Sequence, residues 1–400
     1  MDHPKEPDVM VHSPTRSPRP LRNTLLRSVD VQSERIMVRL FEDADIRVDG
    51  ARPQDMHVHD KRVYTRILSN GSVGLGESYM DGQWDCDALD DLTVKLVRAE
   101  IDKKVRANWS NVFHVLRAKM LNLQTTDRAF EIAEQHYDLG NDLYQAMLDP
   151  RMVYSCAFWR EANDLEEAQT AKLDLVCRKV GLRPGMKVLD IGCGWGGFAK
   201  YAAERYGVEV TGFTVSRDQV QLGREACKGL PIDIRLDDYR KATGSYDAVV
   251  SIGMFEHVGY KNHHAFMEVV HRCLKDDGIA FVQTCGGNRS TKAVNPWFGK
   301  YIFPNGLVPS LAQVARATEE LFSVEDVHNL GPDYDRTLLA WYENFERAWP
   351  TLEASYGERF RRMWRFYLLT CAGAARARYQ QLYQIVLTKI GRPQPDCRLG

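Results

Sequence analysis

This chain of 400 residues has no apolar run near the roughly 20 residues that a helix needs to cross a bilayer. Charge of one sign is missing as well: 53 Lys and Arg face 54 Asp and Glu, a formal net charge of −1, so no global field recruits nucleic acid. Paired cysteines are absent. The nine thiols are an odd number and are scattered without a Cys-x-x-Cys, which excludes a legible disulfide framework and predicts reduced thiols in the cytoplasm, with no metal site. The N-terminal basic residues have no apolar core behind them, so no secretory signal is expected. Gly71–Gly82 is glycine-rich but lacks the Lys-Ser/Thr of a phosphate loop.

What is present falls into zones. Residues 1–25 mix Pro4, Pro7, Pro14, Pro18 and Pro20 with Arg16, Arg19 and Arg22, too little apolar surface to order a segment, and are expected to be a disordered tail. Residues 26–112 read as a small independent α+β domain. Asp45–Gly50 alternates like an exposed strand and ends in Asp-Gly, a turn pair. Leu92, Leu96, Ala99 and Val105 predict an amphipathic helix over Leu89–Val105. Its polar side continues into Lys103, Lys104 and Arg106. Two readings of that basic run stand: a solvated helix face, or contact with anionic lipid headgroups at roughly 1 kcal/mol per basic residue. Residues 113–130 read as a linker and 131–390 as the larger domain.

In that larger domain the apolar run Lys187–Ile191 breaks into Gly192-Cys193-Gly194-Trp195-Gly196-Gly197 and a helix-like Phe198–Arg205. Strands are predicted at Glu209–Thr214, Ile232–Leu236, Ala248–Ile252, Gly278–Thr284 and Tyr379–Thr388, with helices at Arg217–Lys228 and His263–Leu274. Such alternation specifies an α/β fold with a parallel sheet, whose ligands bind beyond the carboxyl ends of the strands. That rule selects Gly192–Gly196, Thr214-Val-Ser216, Asp237-Asp238-Tyr239, Glu256 and Gln283-Thr284-Cys285. Asp190 before the first glycine completes Asp-x-Gly-x-Gly-x-Gly, which resembles the first motif of class I methyltransferases, binders of S-adenosylmethionine. The alternative is a tight strand-to-helix turn with no ligand.

Longer matches sharpen this. Gly74-Leu-Gly-Glu-Ser-Tyr-Met-Asp-Gly82, His136–Tyr144, Tyr154-Ser-Cys-Ala157, Gly253-Met-Phe-Glu-His-Val-Gly259, Lys300-Tyr-Ile-Phe-Pro-Asn-Gly306, Asp333-Tyr-Asp335, Ala340-Trp-Tyr342 and Cys371-Ala-Gly-Ala374 follow one another in order. Together they closely resemble the cyclopropane-fatty-acyl-phospholipid synthase family in its two-domain form, over about residues 40 to 390. The resemblance implies a Rossmann-like methyltransferase sheet, mostly parallel and seven-stranded, with a helical insertion. It also implies a homodimer at the inner face of a phospholipid membrane. The implied reaction carries a methylene from S-adenosylmethionine to a cis double bond of a phospholipid acyl chain. An alkene is a poor nucleophile, so it must be aligned with the sulfonium methyl, and water must be excluded from the cation that follows.

The resemblance carries residue roles with it. A bound bicarbonate serves as the base, held by Cys156 and Cys285 through their backbones and by Glu256, Gln283 and Tyr334. Glu256 accepts its O–H, while the amide and the phenol donate. Family members often have His where this chain has Gln283, which cannot titrate near neutrality. Tyr154, Ser155, Gly192, Gly194, Gly196, Thr214 and Gln219 are the implied cofactor contacts, with Asp238 and Tyr239 near the adenine. Thr214-Val-Ser216 stands where many methyltransferases place a ribose-binding acid. Trp297–Pro309 and the helical region Asp335–Arg378 are expected to build an acyl tunnel from Trp297, Phe298, Tyr301, Phe303, Trp341, Tyr342 and Phe345, most of them packing residues. Plainer readings stand beside these roles: Glu256 as an acid satisfied by a helix N-terminus, Tyr334 and Tyr239 as core aromatics, Cys156 as a small packing residue. At the level of function the alternatives are a related lipid methyltransferase making branched products and a catalytically silent lipid-binding protein.

Overall fold

The computed structural model describes residues 19–105 and 140–399; the expected linker at 113–130 lies outside them. Seven strands form the main sheet: β3 (Lys187–Ile191), β4 (Glu209–Thr214), β5 (Ile232–Leu236), β6 (Tyr246–Ile252), β7 (Leu274–Gly287), β8 (Phe322–Asn329) and β9 (Gln380–Lys389), in spatial order β5-β4-β3-β6-β7-β9-β8. β3 to β7 run parallel, and β9 is antiparallel to both β7 and β8. The apolar run Val188–Ile191 is buried throughout, as a strand covered on both faces requires. Strand order reverses at β3, which pairs with β4 on one side and β6 on the other, and the crevice for a ligand opens there.

Helices α7 (Leu165–Lys179), α8 (Gly197–Tyr206), α9 (Arg217–Ala226), α10 (Phe255–Val258), α11 (His263–Cys273), α12 (Pro296–Tyr301), α13 (Leu311–Thr318) and α14 (Gly331–Arg376) cover and extend this sheet. Before them come α1 (Arg19–Asp43), α2 (Arg62–Asn70), α3 (Ser72–Met80), α4 (Leu89–Arg98), α5 (Ile101–Lys104) and α6 (Asn141–Met147), with a two-residue ribbon of β1 (His57–Val58) and β2 (Trp84–Asp85).

Several expectations are revised. Residues 19–25, assigned to the tail, are the first turns of α1, where Pro20 sits at the helix end that tolerates it. Asp45–Gly50 is not a strand: only Val48 bridges to Met56, because Asp45 (φ 55°) and Asp49 (φ 53°) are left-handed and break the extended run. The helix expected over Leu89–Val105 divides into α4 and α5 at Glu100, which is also left-handed (φ 50°). Within the glycine-rich Gly71–Gly82, Ser72–Met80 is helix α3, packed at close range; a Cβ on Gly76 would stand 2.2 Å from the Trp297 indole nitrogen. β8 has no counterpart in the predicted strands, since Ser323, Glu325, Asp326 and His328 dilute its apolar pattern.

The small N-terminal region does not stand apart. One apolar core runs from Met37 and Phe41 through Tyr64, Tyr79, Trp84 and Leu92 to Tyr144, Trp297, Trp341 and Trp364. Polar ties follow the same seam. Arg376 of α14 reaches Asp90, Asp91 and Asp335, and Arg362 donates to the Trp84 carbonyl and Asp85. Trp364 is fully buried where α14 meets α6, and its truncation to Ala costs about 3–5 kcal/mol by loss of transfer energy and the cavity left behind. All nine cysteines are free thiols. Among the described residues no helix is long and apolar enough to cross a membrane.

Candidate active site

A cavity of about 140 Å³ opens beyond the carboxyl ends of β3, β4 and β6. Tyr154, Ser155, Asp190, Gly192, Gly194, Thr214, Gln219, Asp238 and Tyr239 line it. Gly196 does not; it is the left-handed residue before α8 (φ 82°), and a Cβ there would press on the Cys227 thiol at 3.1 Å. Its role is to turn the strand into the helix.

The polarity of the cavity follows from which atoms lack partners. Asp190 is buried, and its Oδ2 has no hydrogen bond. Burial pushes its carboxyl up to about 7, while the Lys172 ammonium pulls the other way. Asp238 caps the turn that follows β5 by accepting from Arg240 N at 2.9 Å, which leaves its Oδ2 without a partner. Thr214 donates to Gln219 Oε1 at 2.7 Å, and Gln219 N donates to Ser216 Oγ at 3.3 Å, so the end of β4 and the start of α9 hold each other. The Tyr239 ring packs against Phe266, yet its buried hydroxyl also lacks a partner. Two orphaned carboxylate oxygens in one cavity suit a ligand that brings donors, such as an ammonium, hydroxyls or an exocyclic amine. The residues therefore fit S-adenosylmethionine.

A second cluster adjoins the cavity. Glu256 sits in the single turn α10 and accepts from Cys285 N through Oε1 at 2.5 Å, while its buried Oε2 has no partner. Burial pushes its carboxyl above the ordinary range, and the Cys285 hydrogen bond opposes this. Gln283 Nε2 donates to the Cys156 carbonyl at 3.2 Å, and Gln283 Oε1 accepts from Gln384 Nε2 at 3.0 Å. The Cys156 side chain donates to the Ala157 carbonyl, and burial pushes its thiol far up, so it is inert as a nucleophile. Tyr334 is buried edge-on to Trp341, its ionisation held well above the usual range by burial. The side chains of Glu256 and Tyr334 both act on the Cys285 thiol, the carboxylate raising its pKa and the phenol lowering it.

Tyr154–Cys156 joins the two clusters. Tyr154 and Ser155 face the cavity, and the next carbonyl holds Gln283. The Tyr154 hydroxyl lies 2.7 Å from that of Tyr367, and its ring meets Tyr144 and Trp341 at 5.2 and 5.1 Å. Of the aromatics expected around a tunnel, Trp297, Trp341 and Phe345 are core residues, while Phe298, Tyr301, Phe303 and Tyr342 are half-buried against the same core.

Sequence reasoning assigned no role to several lining residues, Lys172, Met254 and His257 among them. His257 is held neutral by burial, its pKa pushed down to about 4. Lys172 lies on α7, whose charged pattern hides a buried lysine. Among the described residues no group of three or more His, Cys, Asp or Glu side chains could hold a metal.

Comparison with known proteins bears on this arrangement. The family model described as mycolic acid cyclopropane synthetase matches residues 124–385. Cyclopropane-fatty-acyl-phospholipid synthase of Escherichia coli (strain K12) is 48% identical over 355 residues, 89% of this chain and 93% of that protein. A probable fatty acid methyltransferase of Pseudomonas putida is 38% identical over 272 residues, 65% of this chain and 69% of that protein. Among solved structures, the mycolic acid cyclopropane synthase CmaA1 complexed with SAH and CTAB superimposes with a TM-score of 0.61 at 32% identity, covering 65% of this chain and 98% of that one. The cyclopropane synthase MmaA2 from Mycobacterium tuberculosis does so with a TM-score of 0.62 at 32% identity, covering 67% and 100%.

Proposed function

The chain belongs to the mycolic acid cyclopropane synthetase family, and from that premise we propose that it converts the cis double bond of an unsaturated phospholipid acyl chain into a cyclopropane. Its cosubstrate is S-adenosylmethionine, which supplies an electrophilic methyl group and leaves as S-adenosylhomocysteine. The observation that carries this reading is the junction at Tyr154–Cys156. It sets a cavity with orphaned acceptors directly beside a buried, unpaired carboxylate oxygen and a wall of aromatic rings.

The residues divide the labour by their polarity. Asp190 Oδ2 takes the ammonium of the amino-acid end, and Asp238 accepts from the adenosine. Tyr154 lines the cavity with its ring backed by Tyr144 and Trp341, and a cation developing over that ring gains about 0.5–2 kcal/mol. Apolar packing around Tyr334 and Trp341 keeps water away, so the cation loses a proton instead of gaining a hydroxyl. Bicarbonate, when bound, supplies the base for that proton. The residues fit it in part. Glu256 Oε2 is a buried acceptor for its O–H, and the Tyr334 phenol is a donor that would hold one of its oxygens, while Gln283 Nε2 already donates to the Cys156 carbonyl. The Cys285 N–H, expected to join them, is already engaged by Glu256 Oε1, so Cys285 positions Glu256. We place the enzyme at the inner face of the membrane as a peripheral homodimer, in line with its family.

The test is direct. Purified protein is incubated with S-adenosylmethionine and vesicles of a monounsaturated phospholipid, and the acyl chains are read by mass spectrometry. The expected product is 14 mass units heavier, with no double bond and no branch. A methyl-branched product would move the chain to the fatty acid methyltransferases; no lipid product would end the reading.

A further inference from the structure

Helix α7 presents Gln169 and Lys172, one turn apart, to the same stretch of chain. Gln169 Nε2 donates to the carbonyls of Val153 at 3.2 Å and Ser155 at 2.8 Å. Lys172 Nζ donates to Ser155 Oγ at 2.9 Å. Both side chains are fully buried, and Lys172 lines the cavity. It is the one Lys or Arg to do so among the described residues, and no ion pair there includes it.

A buried ammonium without a carboxylate in contact is an unstable arrangement unless something anionic arrives. Burial pulls its pKa down to about 8, and Asp149, Cys156 and Asp190 counter that only at a distance. The geometry also dictates the state of Ser155. An ammonium can only donate, so Ser155 Oγ accepts from Lys172 and must direct its own proton elsewhere. Ser155 also lines the cavity, on which Asp190 opens an unpartnered oxygen. The cavity thus carries both a cation and an unpartnered carboxylate oxygen, the pair that a zwitterionic amino acid complements.

We propose that Lys172 is the positioning residue for the carboxylate of the cosubstrate: it turns the Ser155 hydroxyl into a donor and supplies a positive charge in the cavity that Asp190 also lines. This rests on the reading of the cavity as the S-adenosylmethionine site. Through Ser155 it also fixes the segment Tyr154–Cys156, so the grip on the cosubstrate and the shape of the second cluster are set by one helix.

The experiment compares two ligands by calorimetry on the purified full chain. S-Adenosylhomocysteine carries the amino-acid end; 5′-methylthioadenosine has the same nucleoside and sulfur without it. For Lys172→Met, affinity for S-adenosylhomocysteine should fall roughly 10- to 100-fold, the range for a lost hydrogen bond to a charged group, while that for 5′-methylthioadenosine changes by less than about threefold. Lys172→Gln, neutral and closer in shape, must show the same selective loss and covers the case in which the Met variant does not fold. Equal weakening of both ligands would mean that Lys172 only supports the fold, and unchanged S-adenosylhomocysteine binding would mean that it supports no ligand; either overturns the proposal. Failure of the wild-type protein to bind either ligand would instead overturn the cosubstrate reading, and this inference with it.

Discussion

The cavity beyond β3 and β4 and the cluster around Gln283 share the segment Tyr154–Cys156 but differ in how their polar atoms are satisfied. In the cavity, Asp190 and Asp238 each keep a buried oxygen without a partner, and Lys172 keeps an ammonium without a carboxylate. Around Gln283 the protein completes its own bonds: Gln384 to Gln283, Gln283 to Cys156, Cys285 to Glu256. Two acceptors interrupt that completeness, Glu256 Oε2 and Gln384 Oε1. Unsatisfied buried groups cost stability, so they persist where a ligand completes them. The first region is a socket for a polar molecule, and the second is a rigid frame whose one open carboxylate oxygen is Glu256 Oε2.

That contrast can be broken at its open position first. Glu256→Gln keeps the size of the side chain but replaces an acceptor oxygen by a donor and removes the charge. Turnover should fall about 10²- to 10⁴-fold, the usual contribution of a group that serves a proton transfer. Calorimetric affinity for S-adenosylhomocysteine should be unchanged. Near-normal turnover would remove Glu256 from the chemistry and leave it as the acid that orders Cys285.

The socket is tested through pH. Burial raises the folded pKa of Asp190 to about 7, above the unfolded value near 3.9, so the folded state holds more protons than the unfolded one between those limits. Stability from this group is present below the unfolded pKa and is lost as pH rises through the folded one. Asp190→Asn should therefore melt higher than wild type above pH 7 in the absence of ligand, by a difference of a few kcal/mol at most, and the gap should close toward pH 4. Ligand should reverse the order, because the acceptor for its ammonium is gone. Thermal melts across pH, with and without S-adenosylhomocysteine, check both statements; parallel curves for the two proteins would mean that Asp190 is ionised in the empty cavity.

The smallest effect is expected where the frame works through backbone. Cys156 offers Gln283 its carbonyl, and its thiol is inert. Cys156→Ala should keep turnover within about threefold and cost about 1 kcal/mol for the small void. A loss of a hundredfold in rate at unchanged stability would show that the thiol itself touches the reaction.

Much of this architecture was legible in the chain. Val188, Leu189 and Ile191 are the apolar residues of a central strand, and Asp190 among them, with the glycines of the following turn, marked the cavity. The signals for α7 were present too, since Asp164 caps it and Glu166, Glu167, Arg178 and Lys179 suit its two ends; the helical period sets Lys172 on the face of Ala168, Leu175 and Val176, but a lysine by type argues for solvent. β8 escaped notice because this edge strand buries Glu325 and leaves Val324 and Val327 exposed, which breaks the apolar alternation. Asp45 and Glu100 escaped because few residues other than glycine adopt a left-handed conformation, and only their surroundings select it.

Local order was decided by sequence alone: strand and helix periods, the glycine turn, and the types of residue at each strand end follow from sterics and hydrophobic spacing within a few residues. Tertiary structure alone decided which polar atoms remain unsatisfied. Gln384 lies 101 positions from Gln283, and Lys172 lies 17 from Ser155. Whether a donor finds its acceptor depends on distances of a few ångström between segments that the sheet brings together, and partnership, not residue type, separates a structural glutamine from a lysine poised for a ligand.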